Sequence, residues 1–121
     1  MHQFDLRNRT AVITGGAQGL GLGIAKQFIE SGAEVIIWDI DQEIIKKAKQ
    51  QLNSNKLTSQ IVDVAVFENV KKNVEEIIIN KKVDIFINNA GITGLTSELW
   101  NYPIDEWHKV LNVNLNGTFY C

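Results

Sequence analysis

Four short apolar runs, separated by longer amphipathic stretches, constrain this chain more than any other feature. The runs are 10–14 (TAVIT), 34–39 (EVIIWD), 58–64 (TSQIVDV) and 83–89 (VDIFINN). The first, second and fourth are rich in Ile and Val and apolar on both faces, the pattern of strands buried in a parallel sheet. Leu20, Ile24 and Phe28 then recur every four residues, ahead of a helix stop at Ser31-Gly32. Ile44, Ala48 and Leu52 make a second stripe opposite Lys46, Lys47 and Lys49. Phe67, Val70, Val74, Ile77 and Ile78 make a third, with Glu68, Lys71, Lys72, Glu75 and Glu76 facing water. A last helix is expected after Pro103, carrying Trp107, Val110 and Leu111. The order β-α-β-α-β-α-β-α predicts an α/β fold, a parallel sheet with right-handed crossovers. A chain of 121 residues is enough for one such domain, here 1–121, and too short for two.

Composition narrows the function classes. A formal net charge of −2 gives no electrostatic footprint for nucleic acid or an anionic membrane. The lysine clusters at 46–49, 71–72 and 81–82 read as solvated helix faces. The single cysteine, Cys121, excludes an internal disulfide framework and fits a reducing compartment, with a reactive thiol as the less supported alternative. The longest strong apolar run, 35–38, falls far short of a membrane span. MHQFDLRNRT has no apolar core of a signal peptide, so a cytoplasmic location is expected. His2 and His108 have no metal-ligand spacing with Cys, Asp or Glu, and no metal site is expected.

The first strand runs directly into Thr14-Gly15-Gly16-Ala17-Gln18-Gly19-Leu20-Gly21, and a helix follows. Glycines in such a turn permit a tight bend, close approach of backbone to a pyrophosphate, and close helix–strand packing. The helix N-terminus then offers unpaired N–H groups and the positive end of its dipole. The spacing is T-G-x-x-x-G-x-G; it matches neither G-x-G-x-x-G nor a P-loop. A purely structural turn is the alternative, and the strand–turn–helix context favours phosphate binding.

Asp39 closes the second strand twenty residues after Gly19. A carboxylate there can accept hydrogen bonds from both hydroxyls of an adenosine ribose. Charge-assisted hydrogen bonds contribute about 1.5–3 kcal/mol. A 2′-phosphate would lose them and meet like charge, so a preference for NAD over NADP on the order of 10² is expected. Ile40 and Asp41 follow, with no cation to reverse this. Capping of the next helix is the other reading of Asp39. Asp63, with Val64 after it, reads equally as a turn former or an anion at a helix start.

Asn88-Asn89-Ala90-Gly91 ends the fourth run, at the edge where open α/β sheets bind ligands. Two asparagines there need hydrogen-bond partners, and Ala90 and Gly91 leave room for a ligand to pass. A polar strand-to-loop turn is the alternative. Residues 92–103 (ITGLTSELWNYP) form a loop whose Trp100 and Tyr102 serve either packing or a substrate edge. Trp107, Leu111 and Asn114 fall on one helical stripe, so Asn114 is expected as a buried amide with partners, and Asn112 off the stripe as more exposed. A bond from Asn114 to neighbouring backbone is as good a reading as a catalytic one.

TGGAQGLG, Asp39, Asp63-Val64, NNAG and NVNLNG occur in the order in which the short-chain dehydrogenase/reductase family carries them, and the chain resembles the N-terminal half of that family. The resemblance implies a Rossmann-type doubly wound parallel sheet, truncated after the fourth strand and part of the following helix. It implies a cofactor site at Gly15, Gln18, Gly19, Leu20, Gly21, Asp39, Asp63, Val64, Asn89, Ala90 and Gly91, with Asp63 and Val64 at the adenine and NNAG along the adenosine ribose. Asn114 matches the family's catalytic asparagine, which positions a water leading to the catalytic lysine. NAD is the implied cofactor, with NADP the weaker choice because of Asp39.

The family's serine and Tyr-x-x-x-Lys pair have no counterpart here. Tyr102 is followed four residues on by Glu106, and only Cys121 follows Tyr120. The expectation is therefore a fragment of an enzyme that moves hydride between nicotinamide and a secondary alcohol or ketone. The chain alone is expected to be inactive, and its fourth strand to be an apolar edge. The implied substrates are a 3-oxoacyl thioester, as in 3-oxoacyl-[acyl-carrier-protein] reductases, or a sugar-type polyol or sugar acid. The implied assembly of the whole protein is a homotetramer or homodimer. A non-catalytic dinucleotide-binding module and a mononucleotide or flavin binder are the competing readings.

Overall fold

The computed structural model describes residues 4–121; His2 lies outside them. The elements run β1 (Thr10–Thr14), α1 (Gly19–Glu30), β2 (Glu34–Asp39), α2 (Gln42–Leu52), β3 (Leu57–Ile61), α3 (Phe67–Ile78), β4 (Ile85–Ile87) and α4 (Ile104–Leu111). A 3₁₀ turn at Leu99–Asn101 precedes α4. The chain then passes through a wide, π-type turn at Asn112–Asn116 into α5 (Gly117–Tyr120). All strand pairs are parallel, in the order β3-β2-β1-β4. This is the α/β, doubly wound arrangement expected from the alternation of runs.

Helices cover both faces of the sheet. On one, Ile13, Val35, Ile37 and Leu57 pack with Ala25, Ile45 and Ala48 from α1 and α2. On the other, Val12, Ile36 and Trp38 pack with Val70 and Ile77 of α3, and with Val62 and Val64 beyond the end of β3. Trp38 meets Phe86 edge to face at 5.5 Å, and its indole N–H donates to Gln60 Oε1 at 2.7 Å. Burial of the large aromatic is thus matched by a partner for its one polar atom. At the opposite end of the sheet, the Thr10 N–H donates to Asp84 Oδ2 at 2.9 Å, which holds the start of β4 against β1. Arg9 and Lys82 flank that carboxylate.

Several helix faces differ from the periodic reading. Leu20 is 75% exposed, and α1 buries Gly21 and Ala25 instead. Small residues let the helix lie close to the strands, and Ile24 and Phe28 of the expected stripe, with Leu22 and Ile29, pack half-buried around them. In α2 the expected Ala48 is buried and Ile44 and Leu52 pack half-buried on the same core, with Ile45 added to the stripe. In α3 both Phe67 and Ile78 are exposed, while Asn73 is buried and donates to Asn69 O at 2.7 Å. The third strand ends at Ile61, earlier than the sequence suggested, and the fourth has three half-buried residues. In α4, Trp107 is 51% exposed. No helix among the described residues is long and apolar enough to cross a membrane.

Candidate nucleotide-binding site

The carboxyl ends of the four strands define a cleft, and the turn after β1 forms one wall. Gly15 and Gly19 adopt φ values of 61° and 56°, a region costly for residues with a Cβ. At Gly19 an added Cβ would meet nothing within 4 Å, so this bend faces open space. At Gly21 it would strike Gly15 O, and would lie 2.6 Å from Asn89 Nδ2. Gly21 is therefore where α1 closes on the turn, and Gly19 is where a ligand has room. Gln18 caps α1 in backbone only, and the first turn holds no acidic residue. The leading N–H groups and the positive end of the helix dipole are left to an incoming anion.

Thr14 locks this wall to β4. Its hydroxyl, 1% exposed, accepts from the N–H groups of Asn89 and Ala90, both at 2.9 Å, and lies 3.4 Å from Ile87 O. The Asn89 amide donates in turn to Thr14 O at 3.1 Å and Gly15 O at 3.2 Å. The polar end of β4 thus finds its partners in the glycine turn, while Asn88 is exposed. Thr14 is the residue that motif reading undervalued. It opens the T-G-x-x-x-G-x-G pattern of the sequence, but the register of β1 against β4 is what reveals the clamp.

The two carboxylates of the cleft are held by backbone. Asp39 Oδ1 accepts from Ile40 N–H at 2.9 Å and Oδ2 from Ala17 N–H at 3.3 Å. Helix α2 is capped by Asp41, which accepts from the N–H groups of Glu43 and Ile44, so Asp39 is not its cap. Asp63 forms a local turn, with Oδ1 accepting from Ala65 N–H at 3.0 Å, and its own N–H donates to Asn69 Oδ1. Among the described residues, Asp63 Oδ2 has no protein hydrogen bond.

Gly15, Gln18, Asp39, Asp63, Val64, Asn89, Ala90 and Gly91 line a single cavity of about 510 Å³. Trp38, Ile40, Val62, Ile92, Lys109 and Val113 complete it, and none of these was singled out from sequence. Gly19, Leu20 and Gly21 do not line it; they form the turn and helix start beside it. A larger, shallow groove of about 890 Å³ runs along the outer edge of β3, between α2 and α3. Its lining of mixed lysines, glutamates and amides reaches the first turn of α2 at Gln42 and Glu43, but that helix start is already capped by Asp41. The smaller cavity is the better site, because fixed donors and acceptors meet there.

Asn114 sits in the π-type turn and is exposed rather than buried. Its amide closes a reciprocal pair with Ile92: Oδ1 accepts from Ile92 N–H and Nδ2 donates to Ile92 O, both at 2.8 Å. Its helical stripe is not a buried face, so the expected burial does not hold, although the expected partners do. Gly91 fits beside it, since an added Cβ there would come 3.3 Å from Asn114 Oδ1. Asn114 therefore fixes the loop leaving NNAG. Burial pushes the Cys121 thiol up to about 11, which keeps it protonated at neutral pH and argues against a reactive thiol.

The sequence model of the short chain dehydrogenase family matches residues 9–121. The chain belongs to this family. Among short chain dehydrogenases it is 35% identical to the 2-dehydro-3-deoxy-L-rhamnonate dehydrogenase (NAD(+)) of Sphingomonas sp. (strain SKA58), over 93% of this chain and 45% of that protein. It is 40% identical to the 3-oxoacyl-[acyl-carrier-protein] reductase FabG of Chlamydia muridarum, over 94% of this chain and 47% of that one. The chain thus spans about half the length of the curated relatives it matches. The crystal structure of a 3-ketoacyl-(acyl-carrier-protein) reductase from Brucella melitensis, complexed with NADH, superposes with a TM-score of 0.89. That match is 29% identical and covers 96% of this chain and 48% of that one.

Proposed function

We propose that this chain is the incomplete NAD-binding Rossmann domain, over residues 1–121, of an NAD-dependent oxidoreductase. The reaction is hydride transfer between a nicotinamide and a secondary alcohol or ketone. The observation that carries the reading is the convergence of the uncapped N-terminus of α1 with Asp39 at one cleft. The helix end suits a pyrophosphate, with Gly15, Gln18, Gly19, Leu20 and Gly21 shaping the approach. Asp39, already oriented by two backbone N–H groups, suits the two hydroxyls of an adenosine ribose. The free oxygen of Asp63 and the backbone of Val64 suit the amino and ring-nitrogen edge of adenine. Asn89, Ala90 and Gly91 form the wall along which the ribose lies.

When bound, the nicotinamide supplies or accepts the hydride. Asn114 is proposed to work in the complete protein as the positioning amide of the catalytic centre, as the family resemblance implies. In this chain both ends of the amide hold Ile92, so its influence on the cleft passes through that loop. The proton donor and acceptor for the reaction are not among these 121 residues, which contain no Tyr-x-x-x-Lys. The chain by itself is expected to bind dinucleotide without turning it over.

Two substrate classes are supported by the relatives' names, a sugar-acid type and a 3-oxoacyl thioester. Asp39 weighs toward the NAD-linked first class. A homotetramer or homodimer of the complete protein, in the cytoplasm, belongs to the same proposal; the lone, protonated Cys121 is compatible with a reducing compartment.

Calorimetric titration of the wild type and of Asp39→Asn with NADH tests the reading. Loss of one charge-assisted pair is expected to weaken NADH roughly tenfold or more. An affinity for NADH independent of Asp39 would refute the assignment.

A further inference from the structure

The cleft holds a cation that the motifs do not account for. Lys109 lines the cavity together with Trp38, Asp39, Ile40 and Asp63. It precedes Val113, also in the lining, by one helical turn, so both come from the same face of the helix. That helix is seated by a close approach: a Cβ on Gly117 would lie 2.8 Å from Val64 Cγ2 and 3.1 Å from Val64 O. The packing sets Gly117, at the start of α5, against Val64, while Lys109 of α4 lines the same cavity as Asp39, Asp63 and Val64. The ion pairs of the described residues are Arg7–Asp5, Arg9–Asp84, Lys81–Glu34 and Lys82–Asp84. Lys109 takes part in none of them. It is exposed, on a flexible four-carbon stem, and carries a compact charge.

We infer that Lys109 meets anionic charge at the 2′ position of the adenosine, so that Asp39 and Lys109 together set the choice between NAD and NADP. The inference rests on the dinucleotide reading above and refines it. Asp39 disfavours a 2′-phosphate by like charge, but both of its oxygens already face backbone N–H groups, which blunts that repulsion. A cavity of about 510 Å³ is on the order of one Debye length across (~8 Å at physiological ionic strength). A charge on its α4 wall therefore acts on a ligand held at its β2 wall. The sequence after Asp39 offers no cation, and the fold supplies one from seventy residues further on. The cleft consequently accepts NADP more readily than Asp39 alone would allow.

The test is calorimetric titration of NADH and NADPH into the full chain as wild type, Lys109→Met, Lys109→Arg and Asp39→Asn. Lys109→Met keeps most of the stem and removes the charge. It is expected to lower the NADPH-to-NADH affinity ratio roughly tenfold. Lys109→Arg should keep the wild-type ratio, and Asp39→Asn should raise it. The Lys109→Met effect should shrink as salt is added. An unmoved ratio in Lys109→Met, or an equal loss for both dinucleotides, overturns the inference while leaving the cofactor reading intact. A wild-type chain that binds neither dinucleotide overturns both. Thermal unfolding of each variant separates loss of binding from loss of fold.

Discussion

In β1 and β2 almost every side chain is sealed, with Ala11, Val12, Ile13, Val35, Ile37 and Trp38 at 0% exposure. From β4 onward no large apolar side chain among the described residues is fully buried, and several stand out of the surface, among them Leu99 at 77%, Trp100 at 79% and Phe119 at 84%. The first region is flanked by a helix layer on each face, and Phe86, Val113 and Tyr120 add to the cover on one of them. The second is tied on by the polar links of Asp84 to Thr10 and of Thr14 to Asn89 and Ala90, and by the half-buried Phe86, Val113 and Tyr120 that pack on the core. Apolar area contributes to stability only where it leaves water, so truncation should cost much in the first region and little at the exposed side chains of the second. The cleft lies on the seam between them: its glycine turn and Asp39 belong to the sealed region, while NNAG, Lys109 and Val113 belong to the open one.

Truncating Trp38 to Ala should have the largest effect, about 3–5 kcal/mol, through a cavity and the lost edge contact with Phe86. Chemical unfolding would reveal it, and a loss near zero would mean that the sealed region is not the stabilising one. Gly21→Ala forces a Cβ against Gly15 O and should cost about 1–3 kcal/mol by overpacking, with a loss of NADH affinity that exceeds the loss of stability. Thr14→Val removes a hydroxyl that satisfies two N–H groups and should cost about 1–3 kcal/mol. If Thr14→Val leaves stability unchanged, the seam is held by something other than this clamp.

A smaller effect is expected in acid. The Thr10 N–H, helped by the Lys82 and Arg9 charges, holds the Asp84 carboxyl below its ordinary value. A depressed folded-state value gives stability that is present above the unfolded carboxyl range and lost as pH falls through the folded value. Asp84→Asn should therefore flatten the stability profile as pH falls through and below the ordinary carboxylate range, as measured by unfolding at stepped pH. Phe119→Ala should be smallest of all, within about 0.5 kcal/mol, because its ring is already in water. A cost near that of Trp38 would erase the contrast between the regions.

Sequence legibility follows the same division. The β1 and β2 runs, TGGAQGLG and Asp39 stood out because a buried strand and a phosphate turn each leave a local pattern. What escaped depended on register or on distant packing. Leu20 looked like core, yet the small residues Gly21 and Ala25 face the sheet, and periodicity weighted by side-chain size misses such a face. Asn114 looked buried because its stripe holds Trp107 and Leu111, but that stripe is itself largely open. Thr14 opens the glycine pattern, but its clamp on Asn89 and Ala90, like the place of Lys109 in the cleft, depends on residues some seventy positions away along the chain.

The most direct test of the central proposal is amide hydrogen exchange of the full chain with and without NADH. The expected result is protection at Gly15–Leu20, Asp39–Ile40, Asp63–Val64 and Asn89–Ile92, with the outer edge of β3 unchanged. Protection confined to the groove between α2 and α3, or none at saturating NADH, would contradict a dinucleotide site at the carboxyl ends of the strands.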